Sequence, residues 1–232
     1  LQVLVDRLRR VARIDEIVIA TTVNATDDPI AALAARLGVA VFRGSEDDVL
    51  DRVVKTLRAH RADVCVEVTG DCPLVDPAIV DEVLDAFAAR PGAVYVSNSD
   101  PHRSVPVGLD VQVFAAEALY TLDRETTDPQ DREHVSYGFY RPESGGRWRP
   151  VFVQHASTRG AEHLWVTLDY QEDYALIAAL HADLVAVDPR YDARRVIEWI
   201  QAHPDRHALD QRGQVASRRR HRRRRGGTRG GR

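Results

Sequence analysis

The sequence predicts an α/β protein built on a mostly parallel sheet with helices covering both faces. Short apolar runs of strand length alternate with longer amphipathic stretches through the first half of the chain. Helix punctuation falls between them, with Pro just inside the predicted starts and Gly just past an end. A length of 232 residues accommodates one such domain with a sizeable core.

Leu1, Leu4, Val5, Leu8, Val11 and Ala12 make a helical stripe at the start of the chain. Glu16 to Ala20 reads as a buried strand. Asp28-Pro29 opens a helix that Gly38 closes, and Val39 to Phe42 follows as a short strand. Glu46 to His60 places Val49, Leu50, Val53, Val54 and Leu57 on one helical face, and Asp63 to Val68 is the next strand. Asp76 before Pro77 caps a helix reaching about Ala89, and Val94 to Val96 is a strand ending at Ser97-Asn98. The second half is less regular. Leu109 to Phe114 reads as a strand, Ala115 to Asp123 and Gln130 to Tyr140 as helices, and Val151 to Gln154 as a strand. A strand from Leu164 to Leu168 and helices over Gln171 to His181 and Asp192 to His203 complete the pattern.

In an open α/β sheet the ligand crevice lies outside the carboxyl ends of the strands. The segment Thr69-Gly70-Asp71 sits at such an end, after Val64-Cys65-Val66-Glu67-Val68, and makes Asp71 the first candidate for chemistry. Asp169 ends a second apolar run in the same way. Two carboxylates delivered to one crevice suggest a divalent cation. Each acid has an alternative role in a turn or cap, although Asp76 is the better placed helix cap and leaves Asp71 for ligand work.

No apolar stretch approaches the roughly 20 residues that span a bilayer, and no charged start followed by an apolar core marks a secretory signal, so a cytoplasmic protein is expected. Cys65 and Cys72 have neither metal-type spacing nor the density of a disulfide scaffold; Cys65 reads as strand core and Cys72 as a reduced thiol near the site. No histidine pair has zinc spacing, and no Ser-His-Asp or GxGxxG pattern supports another chemistry. The run Arg218 to Arg232 holds nine arginines and no acid, so residues 1–210 form the expected domain and 211–232 an expected disordered tail. Such a tail either meets an anionic partner, such as nucleic acid, or remains simply solvated.

Phe42-Arg43-Gly44-Ser45-Glu46-Asp47-Asp48-Val49-Leu50-Asp51-Arg52, the segment Val68 to Pro77, Val96-Ser97-Asn98, Gly108 to Phe114, Arg132-Glu133-His134-Val135 and Leu168 to Asp173 occur in that order. Together this set resembles the cytidylyltransferase family of the spore coat polysaccharide biosynthesis protein F type, related to acylneuraminate and ketodeoxyoctonate cytidylyltransferases. The resemblance runs from Leu1 to about His203. It implies a Rossmann-like nucleotide-diphospho-sugar transferase fold and transfer of a cytidylyl group from CTP to an acidic sugar, with release of pyrophosphate. It further implies that Asp71 and Asp169 hold Mg²⁺, which prefers hard oxygen ligands. Arg43, Ser45, Asn98, Asp110, Arg132 and His134 are then expected to bind nucleotide or sugar, Arg132 being suited to bidentate recognition of a carboxylate. The alternatives are a salt-bridge network about Arg43 and Arg52, local backbone bonds for Asn98 and Asp110, and an uninvolved surface His134.

The resemblance places a first strand and a Gly-rich basic loop ahead of the helix at Leu1, and the sequence holds neither. The chain therefore reads as a fragment with its first, central strand missing, expected to turn over CTP slowly if at all. Gln171 stands where many relatives have Pro, and Gln112 where an acid is common; both bear on acceptor specificity. A homodimer is expected. Two other readings remain open, a glycosyltransferase of the same fold and an inactive remnant acting as a binding protein.

Overall fold

The computed structural model describes residues 1–99 and 101–206; the expected tail, 211–232, lies outside the described residues. Helices and strands alternate through the first half as α1 (Gln2–Leu8), β1 (Val18–Thr22), α2 (Asp28–Leu37), β2 (Ala40–Gly44), α3 (Val49–Ala59), β3 (Val64–Glu67), α4 (Pro77–Ala88) and β4 (Tyr95–Ser97). The second half adds β5 (Gln112–Ala115), α5 (Ala116–Glu125), α6 (Pro129–His134), α7 (Tyr137–Tyr140), β6 (Val151–Phe152), α8 (Gln171–Val187) and α9 (Ala193–Ala202).

The strands form two sheets. β1 and β2 pair in parallel, and a second sheet has the order β3-β5-β4-β6. β5 runs antiparallel to both β3 and β4, whereas β4 and β6 are parallel, so β3, β4 and β6 share one direction and β5 opposes it. No described strand joins the two sheets.

Both faces of the larger sheet are covered, because alternate residues along each strand point to opposite sides. Val96 and Val113 join one core with Val80 and Val83 of α4, Leu180 of α8 and Val196 of α9. Tyr95 and Phe114 join the other with Leu50 and Val54 of α3, Leu119 of α5 and Phe139 of α7.

Local chemistry sets the helix ends. Asp48 accepts from the Asp51 amide at 2.9 Å and starts α3, and Asp76 accepts from the Ala78 amide at 2.9 Å and starts α4, as its place before Pro77 predicts. The second oxygen of Asp76 accepts from the Ala193 amide at the start of α9, so one buried carboxylate serves two helices. Gly38 ends α2 in the left-handed region, φ 64°. Arg7, buried in α1, donates from Nε to Val75 O at 2.6 Å and from Nη2 to Tyr191 O at 3.3 Å, and lies 4.5 Å over the Tyr191 ring. These bonds hold the Asp71–Pro77 loop from behind.

Several expected elements differ; α8 runs on to Val187 rather than ending at His181, and β5 begins at Gln112 rather than Leu109. The opening helix ends at Leu8 rather than continuing through Ala12. The helix expected over 130–140 breaks into α6 and α7 at Val135, which adopts φ 51°, a conformation costly for a β-branched residue. The run 164–168 is extended but joins no sheet. Among the described residues its one β contact is a parallel bridge between Val107 and Trp165, where the partner is an irregular loop that offers few aligned backbone groups.

Candidate functional site

Asp71 and Asp169 converge on one cleft of about 330 Å³, lined by Thr69, Asp71, Cys72, Ser99, Arg103, Val107, Asp110, Gln112, Tyr140, Trp165, Thr167 and Asp169. Backbone bonds bring the two loops together. The Leu168 amide donates to Asp71 O at 2.8 Å, the Val107 amide to Leu164 O at 2.9 Å and the Val166 amide to Val107 O at 2.7 Å. The approach depends on Gly108, which has φ 104° and lies so close to the 164–168 segment that a Cβ there would fall 2.6 Å from Val166 C and 2.7 Å from Thr167 N. Gly108→Ala is therefore expected to destabilise the fold by roughly 2–4 kcal/mol in urea unfolding, through a strained φ and a backbone clash that no rotamer relieves. A stability within about 0.5 kcal/mol of the parent would contradict that account.

Each acid is oriented by a threonine two residues before it. Thr69 Oγ1 donates to Asp71 Oδ1, and Thr167 Oγ1 donates to Asp169 Oδ2 at 3.0 Å. Asp169 does not cap α8. Its amide and that of Tyr170 instead donate to Asp173 Oδ2, each at 2.7 Å, so buried Asp173 takes the cap role and leaves the Asp169 side chain in the cleft. Asp110 accepts from the Gly108 amide at 2.9 Å and pairs with Arg103 at 2.6 Å. Cys72 is buried, as expected for a reduced thiol beside the site. Burial, helped by the Asp71 charge, pushes its thiol well above the ordinary range, so it is not a ready nucleophile.

Along one face of the sheet, Glu67 and Ser97 flank Gln112 in register. The Gln112 carbonyl accepts from Tyr95 OH at 2.7 Å and from Ser136 Oγ, which fixes its amide at the cleft wall. Glu67 Oε2 is buried without a hydrogen-bond partner among the described residues, and burial raises its carboxyl to about 8.

Of the residues expected from the sequence, Asp71, Asp110 and Asp169 line the cleft and the others do not. Asn98 is fully buried. Its amide donates to Leu109 O at 3.1 Å and accepts from the Val111 amide at 2.8 Å, so it ties two loops together instead of meeting a sugar. Arg132 is held by Asp48 at 2.9 Å and Asp123 at 2.7 Å, a clamp between α6, the start of α3 and α5. His134 is exposed at the end of α6, edge-on to Tyr137. Arg43 donates to Thr22 O, Asn24 O and Asp28 within the β1–β2 layer, and Ser45 Oγ accepts from the Asp48 amide. The ion pairs of this motif reach outside it, Arg43 to Asp28 and Asp48 to Arg132, rather than forming a network within it. Sequence reasoning missed Arg103, Thr69, Thr167 and Trp165. The hydroxyl pairs were readable as a Thr-x-Asp spacing in extended chain, whereas nothing local marks Arg103.

A second hollow of about 380 Å³ beside α5 and α7 is larger, but its Arg141 and Arg147 are paired with Asp128, Asp131 and Glu125. Its lining holds no counterpart of the two threonine-oriented acids. Chemistry rather than size selects the Asp71–Asp169 cleft.

Among the described residues, no group of three or more His, Cys, Asp or Glu side chains is arranged to hold a metal by itself. Two hard carboxylates without further protein ligands fit Mg²⁺, which usually takes one or two carboxylates and completes its shell with phosphate oxygens and water.

The family model described as cytidylyltransferase matches residues 1–184. The chain is 33% identical over 211 residues to spore coat polysaccharide biosynthesis protein SpsF of Bacillus subtilis, covering 88% of this chain and 84% of that protein. It is 31% identical over 206 residues to the uncharacterized protein MJ1063 of Methanocaldococcus jannaschii, covering 88% and 80%. The solved structure of a cytidylyltransferase from Leptospira borgpetersenii superposes with a TM-score of 0.78 at 27% identity, covering 88% of this chain and 84% of that one. The ordered motifs, the paired acids at the ends of apolar runs and the family match across most of the sequence agree, and the chain belongs to the cytidylyltransferase family.

Proposed function

We propose that this chain transfers a cytidylyl group from CTP to an acidic sugar, with Mg²⁺ as cofactor, in the biosynthesis of a surface polysaccharide of the spore-coat kind. The observation that carries the reading is the convergence of Asp71 and Asp169 on one cleft, within a chain of this family. In the proposed reaction a sugar hydroxyl attacks the α-phosphorus of CTP. The new P–O bond forms as the bond to the β-phosphate oxygen breaks, pyrophosphate leaves, and the hydroxyl proton passes to water. Bound Mg²⁺ would neutralise charge on the transferred phosphoryl group. The protein's own part is positioning. Thr69 and Thr167 hold the two carboxylates, Gly108 permits the loops to close together, and Tyr140 and Trp165 wall the cleft.

The test is incubation with CTP, Mg²⁺ and either 3-deoxy-manno-octulosonate or N-acetylneuraminate, with chromatography of the products. A CMP-sugar together with pyrophosphate is expected. Release of free nucleotide with formation of a glycoside from a nucleotide sugar would replace this reading by that of a glycosyltransferase. A cytoplasmic homodimer belongs to the same proposal, and sedimentation would find a monomer if that part is wrong.

A further inference from the structure

We propose that Thr167 is the positioning residue for Asp169, and that the hydrogen-bonded run from the Trp165 indole through Thr167 to Asp169 makes Trp165 a sensor of nucleotide occupancy. The inference rests on the reading of Asp169 as an acid of the nucleotide site. Trp165 Nε1 donates to Thr167 Oγ1, and Thr167 Oγ1 donates to Asp169 Oδ2 at 3.0 Å. The direction of this run is fixed by donor counting. An indole N–H donates and never accepts, and a hydroxyl has one proton. With the indole occupying a lone pair of the Thr167 oxygen, that oxygen's single proton is committed to Asp169.

The carboxylate is thus held at its side chain by Thr167 while Asp173 holds its backbone amide at 2.7 Å. Two independent anchors of this kind lock a side chain in a productive rotamer. Asp71 has the corresponding hydroxyl from Thr69 and a further contact from Cys72 Sγ at 3.6 Å, with no aromatic ring in the run. Asp169 is therefore the acid tied to an aromatic reporter. Trp165, Thr167 and Asp169 all line the cleft, so a change at the carboxylate reaches the indole through two hydrogen bonds.

Titration with Mg²⁺·CTP while following tryptophan emission tests the proposal. The emission change is expected in the parent protein and in Trp148→Phe, and is expected to vanish in Trp165→Phe. Thr167→Val keeps the indole in the cleft wall but breaks the run. It should weaken Mg²⁺·CTP binding by calorimetry roughly 10- to 150-fold, the range of a hydrogen bond to a charged group, and lose the emission response. Thr167→Ser should restore both to within about twofold. Thr167→Ala serves as the second hydroxyl deletion should the valine variant fail to fold. If either deletion binds Mg²⁺·CTP as the parent does while Asp169→Asn does not, the positioning role is wrong and the site reading stands. If Asp169→Asn also binds normally, or the parent shows neither binding nor response, the site reading falls and the inference with it.

Discussion

Asp71→Asn is expected to lower cytidylyl transfer by a factor of about 10²–10³ or more, the scale of losing one preorganised electrostatic contact to a phosphoryl-transfer site. The substitution is nearly isosteric and removes a charge without removing the scaffold. The bond that joins the two site loops runs from the Leu168 amide to the Asp71 backbone carbonyl, which the variant keeps. An Asn Oδ1 still accepts from Thr69 Oγ1, the partner of Asp71 Oδ1 in the parent. Stability should therefore change by less than about 1 kcal/mol while activity collapses. The discriminating measurement is pyrophosphate release across a Mg²⁺ titration, with thermal unfolding run in parallel. A cation shared between Asp71 and phosphate predicts that the midpoint in Mg²⁺ rises and that saturating Mg²⁺ recovers part of the rate. Turnover at the parent rate, with the same Mg²⁺ midpoint, removes Asp71 from the site.

The contrast between Asp71 and Asn98 explains how much of this molecule the sequence discloses. The placement of Asp71 and Asp169 on one cleft and the cap at Asp76 are legible because they follow from neighbours along the chain: an apolar run before the first two, and Pro77 after the third. Gly38 closing α2 is legible on the same ground. Asn98 and Arg132 take their meaning from partners far along the chain. Asn98 bonds Leu109 and Val111, and Arg132 bonds Asp48, 84 residues away, so polarity at a strand end or beside a helix does not tell a substrate ligand from a structural clamp. Arg103 is hidden for a related reason. It lies in a nonperiodic loop, and its ion pair with Asp110 exists only because Gly108 turns the chain back on itself. The run 164–168 carries the apolar pattern of a strand because Leu164, Val166 and Leu168 pack on the core while Trp165 and Thr167 face the cleft, yet its neighbour at Val107 is a loop, so the pattern reports burial and not pairing.

Stability should fall as pH rises from about 5 to 9, and Glu67→Gln should remove much of that fall. Glu67 lies in β3 opposite Gln112, with Oε2 buried and no partner for it among the described residues. Burial raises its carboxyl from 4.5 to about 8. A carboxyl with a raised folded pKa binds its proton more tightly in the folded state, so the stability it contributes is fully present below the unfolded value. That contribution is lost progressively as pH climbs through the folded value. The window is therefore 4.5 to about 8. Each tenfold gain in proton affinity on folding corresponds to about 1.4 kcal/mol; with the residue only half-buried as a whole, roughly 2–4 kcal/mol is expected, or a melting temperature lower by about 5–10 °C at pH 9 than at pH 5. His181 works in the opposite sense, since burial, with help from the Arg7 charge, lowers its imidazole from 6.5. It favours folding as pH rises through that range and partly masks the Glu67 effect in the parent protein. Because His181 is common to both proteins, the difference between the melting curves of parent and Glu67→Gln isolates the carboxyl. The neutral amide keeps the shape and the uncharged state that the folded parent has at low pH. The two proteins should therefore melt together below about pH 4.5, diverge progressively up to about pH 8 and keep a constant gap above it, with the variant the more stable; parallel curves across the whole range would mean that Glu67 ionises freely in the folded protein.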